Sequence, residues 1–365
     1  MFAQLDTPLV ERIEVPDTIQ DLIMSRIDRL EEAPRTVLQL ASVIGREFAV
    51  SLLEGIAQQK EPLVESLQKL KSLELIYDRS LFPEHTCFFK HALTQEVAYE
   101  SLLPERRKEL HHLVAGAVEK LYSSRMPEFF AVLAYHYERG ERWERALDYL
   151  RRAADQSRGV GAHREEAFQL SRAMVIAQRL GQPAVVTELR GQRGTARVKA
   201  GMWEEAKPDL ETALRELAPE NLGRRAEILS SLACACFWGL DVPGMQKCAE
   251  EGHALAEKAG RDDLVAGLLG WLGAGRQAQG DLASATNFFD RALARAGGYC
   301  SVALGNYPLT LYLSGRIPEA VQRGQEATET YRSLGDTFAA AFAHPHLGLA
   351  LAASGRYSEA TRVFE

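Results

Sequence analysis

His91 is the first residue in this chain whose type and setting suggest chemistry. It stands alone between a Phe-Phe pair and an amphipathic helix, in the stretch FFKHALTQEVAYESLLPERRKELHH. The neighbouring sequence has no HExxH motif, no ladder of cysteines and no serine in a nucleophile elbow. The local sequence therefore offers the His91 ring no catalytic or metal partner. The elements around His91 decide what its ring contacts.

The other candidate groups are more typical of structure than of catalysis. His111 and His112 lie on a basic helix and are expected on a solvated face, and His344 and His346 lack a spacing typical of metal ligands. GLLGWLGAG is rich in glycine, but it lies in a helical repeat without a preceding strand, which favours packing glycines over a phosphate cradle. The sequence has no GxxxxGK[ST] motif. No catalytic residue and no metal ligand is predicted.

Composition limits the class of protein. The chain has 365 residues and a formal net charge of −7, which argues against a protein that coats nucleic acid. No run of about 18 apolar residues occurs, and the N-terminus lacks the apolar core of a signal peptide. The five cysteines are odd in number and lack CxxC spacing, so they are interpreted as apolar fillers in a reducing cytosol. A cytoplasmic location is predicted.

The first hundred residues combine helices with a short β-rich segment. Apolar residues at spacings of three and four predict helices in VPDTIQDLIMSRIDRL, in EEAPRTVLQLASVIG, through Leu52, Leu53 and Ile56, and through Leu63, Leu67, Leu70 and Leu73. Pro34 suits a first helical turn, and Gly45 is expected to take a left-handed cap. LIYDRSLFPEHTCFFKHAL is rich in β-formers around a proline turn and predicts a hairpin. Three helices and a two-stranded wing are the order of a winged helix, placed at 32–104.

After Leu103-Pro104 the pattern is wholly helical and repeats. Glycines recur at the turns, alanines recur five residues after them, and glycines also recur seven residues before them, with Pro308 as the exception. These positions are Gly201, Gly280, Gly315 and Gly355; Ala206, Ala285, Ala320 and Ala360; and Gly194, Gly273 and Gly348. Helices pack closely where a small residue faces a large one, so the pattern predicts tetratricopeptide-like helix pairs over 105–365.

The predicted fold class is mostly α, with a small winged-helix domain followed by an α-solenoid of tetratricopeptide-like helix pairs. Glu365 falls inside the second helix of the last repeat, before any polar capping helix. The sequence is therefore expected to be a fragment of a longer protein, truncated at the C-terminus and also at the N-terminus.

Two stretches resemble a known family. VPDTIQDLIMSRIDRLEEAPRTVLQLASVIGREF and LFPEHTCFFKHALTQEVAYESLLPERRKELHHLVAGAVEKLY resemble the region downstream of the ATPase core in bacterial STAND-type signalling ATPases. The most similar members carry a class III adenylate/guanylate cyclase domain, an AAA-like ATPase and a tetratricopeptide tail. The resemblance covers about residues 14 to 155. It implies that residues 1–31 are the end of the ATPase helical subdomain.

The resemblance also implies a role for His91. In better-studied relatives a winged-helix histidine reaches the β-phosphate of ADP and locks the closed state, and His91 matches that position. Ala92 departs from the pattern, because those relatives often have Asp there. The alternative is a wing histidine that hydrogen-bonds a backbone carbonyl. ATP or ADP would bind the parent protein, and this chain itself is expected to hold no cofactor.

The predicted function is a non-catalytic regulatory region. A winged-helix clasp would close in cis on an upstream nucleotide-binding domain, and the repeat arm would receive a protein or small-ligand signal. The alternative is a winged-helix transcriptional regulator with a tetratricopeptide partner-binding domain. The candidate recognition helix, KEPLVESLQKLKSLELI, balances three lysines with three glutamates, which argues against DNA. A third alternative, an enzyme, lacks a catalytic constellation.

Overall fold

The computed structural model describes residues 17–57, 61–80 and 84–365. It divides into two compact units, Met1–Ala153 and Ala154–Glu365. The described residues contain 19 α-helices, one 3-10 helix and three strands. The segments predicted from the sequence, 1–31, 32–104 and 105–365, divide the chain at other points and stay a proposal about its domains. None of the described helices combines the length and apolar character that crossing a membrane requires.

Unit 1 begins with helices and strands in alternation. In chain order these are α1 (Asp17–Asp28), α2 (Glu32–Ile44), β1 (Glu47–Ala49), α3 (Val50–Ile56), α4 (Glu61–Ser72), β2 (Ile76–Ser80) and β3 (Thr86–Phe89). Helices follow, namely α5 (Ala92–Glu100), α6 (Pro104–Leu121), the 3-10 helix (Ser123–Phe129), α7 (Phe130–Arg139) and α8 (Trp143–Gly159), which crosses the division. The predicted helices and hairpin are present. Pro83, predicted in the turn, and Lys60, predicted within the candidate recognition helix, lie outside the described residues.

The sheet of unit 1 has three antiparallel strands in the order β1-β3-β2. The sequence analysis predicted β2 and β3 but not β1, whose three residues pair with β3. Gly45, between α2 and β1, has φ +148° and ψ −174°, which is not the left-handed helical cap that was predicted. An extended conformation at this point leads the chain directly into β1, so the predicted cap is wrong.

The core of unit 1 lies between the sheet and helices α2 to α4. Fully buried side chains come from each of these elements: Leu38, Leu53, Leu63, Leu70, Ile76 and Phe89. The rings of Phe48 and Phe89 meet edge to face, with centroids 5.8 Å apart. Leu73, predicted on the apolar side of α4, is 36% exposed because the helix ends at Ser72.

Unit 2 is built of helix pairs. The helices are α9 (His163–Arg179), α10 (Pro183–Lys199), α11 (Trp203–Glu216), α12 (Leu222–Trp238), α13 (Val242–Ala259), α14 (Asp262–Ala278), α15 (Leu282–Arg295), α16 (Ser301–Leu313), α17 (Ile317–Leu334), α18 (Thr337–Ala353) and α19 (Tyr357–Phe364). From α10 onward, each even-numbered helix packs against the odd-numbered helix that follows it. This is the α-solenoid of helix pairs that the sequence predicted.

The turns between paired helices follow the predicted glycines. Gly201, Gly280, Gly315 and Gly355 have φ values of +76° to +81°, which glycine adopts without the steric cost that a Cβ atom would add. Leu240 has φ +58° at the corresponding turn between α12 and α13, so a branched side chain takes the left-handed conformation there.

The pattern of small and large residues also has the predicted role. A Cβ atom at Gly273 would lie 2.6 Å from the ring of Phe289, and one at Gly194 would lie 2.6 Å from Leu210. Ala206 and Ala285 are completely buried, as predicted. In the pairs α10–α11 and α14–α15, a glycine therefore faces a large side chain across the two helices.

Candidate functional site

His91 lies at the first turn of α5, where its backbone is extended at the N-cap position. Its side chain is exposed. Its carbonyl oxygen accepts a hydrogen bond from the Thr94 N–H at 3.1 Å. Within the described residues, the ring makes no hydrogen bond and caps no helix. The ring thus lacks the buried, carbonyl-bonded setting of the alternative interpretation, and its role in nucleotide sensing stays a prediction.

The residue next to His91, Lys90, forms an ion pair with Glu74. Lys90 donates a hydrogen bond to Glu74 at 2.6 Å, and this bond lowers the pKa of Glu74. Arg26 on α1 donates to the carbonyl oxygen of Leu73 at 2.9 Å, and its charge also lowers the pKa of Glu74. Two cations thus surround one carboxylate beside the start of α5. A helix N-terminus favours anions, and α5 begins directly after His91.

His111 is not on a solvated face, as was predicted, because it is completely buried between α5, α6 and α7. Its Nδ1 lies 2.9 Å from Nδ1 of the buried His136, and its Nε2 lies 3.0 Å from the hydroxyl of Tyr99. Only His112, the next residue, is exposed. The prediction for His111 was wrong because an imidazole can be buried when both ring nitrogens have polar partners.

Both buried histidines are neutral near pH 7. Burial, with a smaller contribution from Arg139, lowers the pKa of His111 to about 4. Burial, with a smaller contribution from His111, lowers the pKa of His136 to about 3. A neutral ring has one N–H and one bare nitrogen, so the Tyr99–His111–His136 chain forms only when donors and acceptors alternate. The network links α5, α6 and α7 through Tyr99, His111 and His136.

The glycine-rich stretch of α14 packs against its neighbours, as predicted. A Cβ atom at Gly270 would lie 2.9 Å from Val302, and one at Gly275 would lie 2.7 Å from Gln246. These glycines allow close approach of helices and form no phosphate loop.

The first helix of each pair in unit 2 packs against the first helix of the next, from α10 through α18. In the described part of the chain, the second helices of consecutive pairs do not pack to the same extent. A row of helices that packs more closely than the row behind it curves toward itself. The first helices therefore line the inner face of this unit.

An aromatic cluster lies on the inner face, and the sequence analysis did not find it. Phe237 and Trp238 end α12, Trp271 lies on α14, and Phe342 lies on α18. The Phe342 ring meets Phe237 at 6.1 Å and Trp238 at 5.7 Å between centroids, and Phe237 meets Trp271 at 5.4 Å. Phe237, Trp238 and Phe342 are only half-buried. The one local signal for this cluster was the Phe-Trp pair at the end of α12.

His346 joins this cluster and does not form a metal site with His344. Its ring is edge-on to Phe342, with centroids 5.1 Å apart, and its Nδ1 lies 2.7 Å from the carbonyl oxygen of Gly305. Burial lowers the pKa of His346 despite this hydrogen bond. A neutral imidazole that donates to a backbone carbonyl extends the aromatic surface without adding a charge.

Comparison with solved structures places this architecture. A STAND protein from Pyrococcus horikoshii with a tetratricopeptide repeat sensor is similar, with a TM-score of 0.55 and 14% identity, over 94% of this chain and 51% of that one. This is a tetratricopeptide-like repeat fold. The apo form of RapI is also similar, with a TM-score of 0.51 and 11% identity, over 95% of this chain and 90% of that one. No family model and no curated protein matches the sequence.

The tetratricopeptide-like chain therefore spans about half the length of the STAND protein that it resembles. At these levels of identity the similarity concerns the fold. A region built of tetratricopeptide-like pairs presents extended surfaces on its helices, which repeat proteins use for binding.

Proposed function

We propose that this chain is the regulatory, non-catalytic region of a nucleotide-switch signalling ATPase. Unit 1 acts as a clasp on an ATP-binding module of the same protein, and unit 2 acts as the arm that receives a protein or small-ligand signal. The parent would belong with the STAND-type ATPases, including those joined to adenylate cyclase domains. The exposed, unbonded ring of His91 at the start of α5 is the observation that carries the proposal.

The order of elements in unit 1 supports the clasp. From α2 to β3 the chain runs helix, strand, helix, helix, strand, strand, with β3 at the centre of the sheet. This is the order of a winged helix, in which β2 and β3 form the wing. His91 follows directly after β3, so the rigid sheet fixes where its backbone lies. The STAND protein with a similar fold has a tetratricopeptide repeat sensor, which supports the sensing arm proposed for unit 2.

The chemistry of the contact follows from the ring. An exposed imidazole N–H can donate a hydrogen bond to a phosphate oxygen, and such charge-assisted bonds are stronger than neutral ones. The N-terminus of α5, which begins directly after His91, favours an anion at the same place. A contact made only when ADP is bound would bias the switch toward its closed state.

The inner face of unit 2 supports the sensing arm. Aromatic residues are enriched among the side chains that dominate binding energy at protein interfaces. Phe237, Trp238 and Phe342 are half-exposed and come from helices of different pairs. We expect the signal to contact these side chains. A ligand that binds α12 and α18 together would change how tightly the unit curves.

The charges of α4 do not favour the alternative function, a DNA-binding winged helix. Glu61 and Glu65 balance Lys69 and Lys71 within α4. Lys71 is moreover engaged by Asp78, whose carboxylate lies 2.6 Å from the ammonium. A helix that enters the major groove needs free cations to contact phosphates. A regulatory clasp does not need them.

The proposal is tested by His91→Ala in the full-length protein that contains this chain. ADP affinity is expected to fall about tenfold or more, because a hydrogen bond to a charged group contributes about 1.5–3 kcal/mol. The melting temperature should stay unchanged, since the ring is exposed. Isothermal titration with ADP and thermal unfolding are measured side by side.

His112→Ala is the matched control, because His112 is also an exposed histidine of unit 1. It should leave both ADP affinity and melting temperature as in the wild type. Equal ADP binding by His91→Ala and wild type would end the sensor interpretation. A loss of stability without a change in affinity would favour a structural role.

A further inference from the structure

Three potential metal ligands meet in unit 1 near the end of the hairpin where β2 and β3 are connected. Asp78 on β2 pairs across the sheet with Cys87 on β3, and His85 lies two residues before Cys87. His85 precedes β3, and one ligand atom each from Asp78, His85 and Cys87 lie within 4.8 Å of one another. A β-bulge between Asp78 and Ser80 interrupts the ladder at this point. Bulges often occur next to active sites, where they change the direction of a side chain.

The distances between the three ligand atoms are short. The Asp78 Oδ1 atom lies 2.7 Å from His85 Nε2 and 3.4 Å from Cys87 Sγ, and Cys87 Sγ lies 3.8 Å from His85 Nε2. A tetrahedral zinc ion with ordinary bond lengths needs about 3.6 Å between sulfur and nitrogen or oxygen, and about 3.3 Å between nitrogen and oxygen. Both distances to sulfur are within about 0.2 Å of this geometry. Only the imidazole and carboxylate, now hydrogen-bonded, must separate.

The backbone that carries these ligands is well anchored. The carbonyl oxygen of His85 accepts a hydrogen bond from the Val50 N–H at 2.9 Å. The neighbouring Glu84 accepts hydrogen bonds from Ser51 at 2.5 Å and from Tyr122 at 2.8 Å. Cys87 itself is completely buried in the sheet. The ligands are therefore held near their positions before any ion arrives, which lowers the ordering cost of binding.

We propose that Asp78, His85 and Cys87 form a solvent-open site for a divalent transition metal, with Zn²⁺ as the preferred ion. Nitrogen, sulfur and oxygen ligands together are typical of zinc, and three protein ligands leave a fourth position for water. Asp78 and His85 are partly exposed, so this position can face solvent. The sequence analysis predicted no metal ligand, because the three residues lack a familiar spacing and only the hairpin register brings them together.

Lys71 on α4 is the internal competitor for this site. Its ammonium group lies 2.6 Å from the Asp78 Oδ1 atom, the same oxygen that faces His85 and Cys87. The Lys71 ammonium neutralises the negative charge of the Asp78 carboxylate, as a bound metal ion would. When a metal ion binds, the flexible lysine side chain moves into water and the Cys87 thiol releases its proton to solvent. The His85 Nε2–H, which now donates to Asp78, gives up its proton while Nδ1 takes one from solvent, and the freed Nε2 binds the ion. Zinc binding would thereby exchange a link from α4 to the hairpin for a link within the hairpin.

The test is metal binding by the 365-residue chain. We expect wild type to bind one Zn²⁺ ion saturably, and bound Co²⁺ to give the near-ultraviolet charge-transfer band of a cobalt–thiolate bond. Cys87→Ser, His85→Gln and Asp78→Asn should each weaken Zn²⁺ binding at least about tenfold. Lys71→Ala should strengthen it, because the competing cation is gone.

Cys300→Ser is the matched control, since Cys300 is another buried thiol, in unit 2, and should leave Zn²⁺ binding unchanged. No saturable binding by wild type would overturn the proposal, as would binding that survives Cys87→Ser. An unchanged affinity in Lys71→Ala would overturn the site as described. A Co²⁺ complex without the thiolate band would also overturn it, and this measurement does not depend on the folding of any variant.

Discussion

Two glycines of the same helix provide a direct test of how the repeats pack. Gly267 and Gly273 both lie in the interior of α14. A Cβ atom at Gly273 would lie 2.6 Å and 2.7 Å from two ring atoms of Phe289, whereas a Cβ atom at Gly267 would meet no atom within 4 Å. Replacing each glycine by alanine adds the same methyl group to the same helix. The two variants differ only in what that methyl group meets.

The magnitudes follow from this geometry. Alanine is favoured over glycine in a helix by about 1 kcal/mol, and this gain applies to both positions. Carbon atoms in contact prefer about 3.5–4.0 Å, so at Gly273 the ring would have to move by about 0.9 Å. Phe289 is completely buried, and overpacking of this kind costs about 1–3 kcal/mol. Gly267→Ala should therefore stabilise the chain, and Gly273→Ala should be less stable than Gly267→Ala by about 1–3 kcal/mol.

The assay is urea unfolding of both variants and wild type, compared only where the slopes agree. A third variant, Phe289→Leu, completes a double-mutant cycle with Gly273→Ala, because the smaller side chain leaves room for the methyl group. The coupling between the two substitutions should be favourable. Equal free energies of unfolding for Gly267→Ala and Gly273→Ala would refute the proposed small-to-large contact.

Three further predictions follow from the fold. Ala285→Leu should destabilise by about 1–3 kcal/mol, because Ala285 is completely buried, whereas Ala283→Leu on the exposed side of the same helix should have little effect on the melting temperature. Leu240→Gly should stabilise by about 0.5–1 kcal/mol in the same assay, because relief of the left-handed strain exceeds the entropy that glycine loses on folding. In the folded chain the pKa values of His111 and His136 lie below the unfolded value of 6.5. The unfolded chain therefore binds more protons in acid, so unfolding at a series of pH values should show full stability above pH 6.5 and a loss of up to about 1.4 kcal/mol per histidine per pH unit from pH 6.5 toward pH 4.

Repetition is the reason that the solenoid could be predicted in detail. A turn glycine such as Gly280 and a buried alanine such as Ala285 recur at fixed spacing, so each copy supports the assignment of the others. The pair formed by α12 and α13 lacks the glycine at this turn position, and the pattern is weaker there. There the left-handed position falls on Leu240, and a glycine precedes it by one residue. The contacts of the neighbouring repeats hold this turn in place, although no glycine occupies the left-handed position.

Pairing across the sheet is the part of unit 1 that local patterns miss. β1 has three residues, too few for an alternating pattern, and its partner β3 lies far along the chain. The strand forms because the edge of β3 would otherwise leave backbone groups unpaired beside a hydrophobic core. His111 was misplaced for a related reason. Its polar side chain suggests the surface, whereas its burial depends on His136 from another helix.

Contact between distant elements also explains why the aromatic cluster and the group of Asp78, His85 and Cys87 were not predicted. Phe237 and Phe342 meet only because the intervening pairs curve the unit, and that curvature depends on how every pair packs. Asp78 meets Cys87 only in the hairpin register that the bulge allows. His91 is different, because a single residue in a recognisable stretch can be found without any partner in the chain. A single residue in a recognisable stretch is thus easier to locate from sequence than a cluster assembled within the fold.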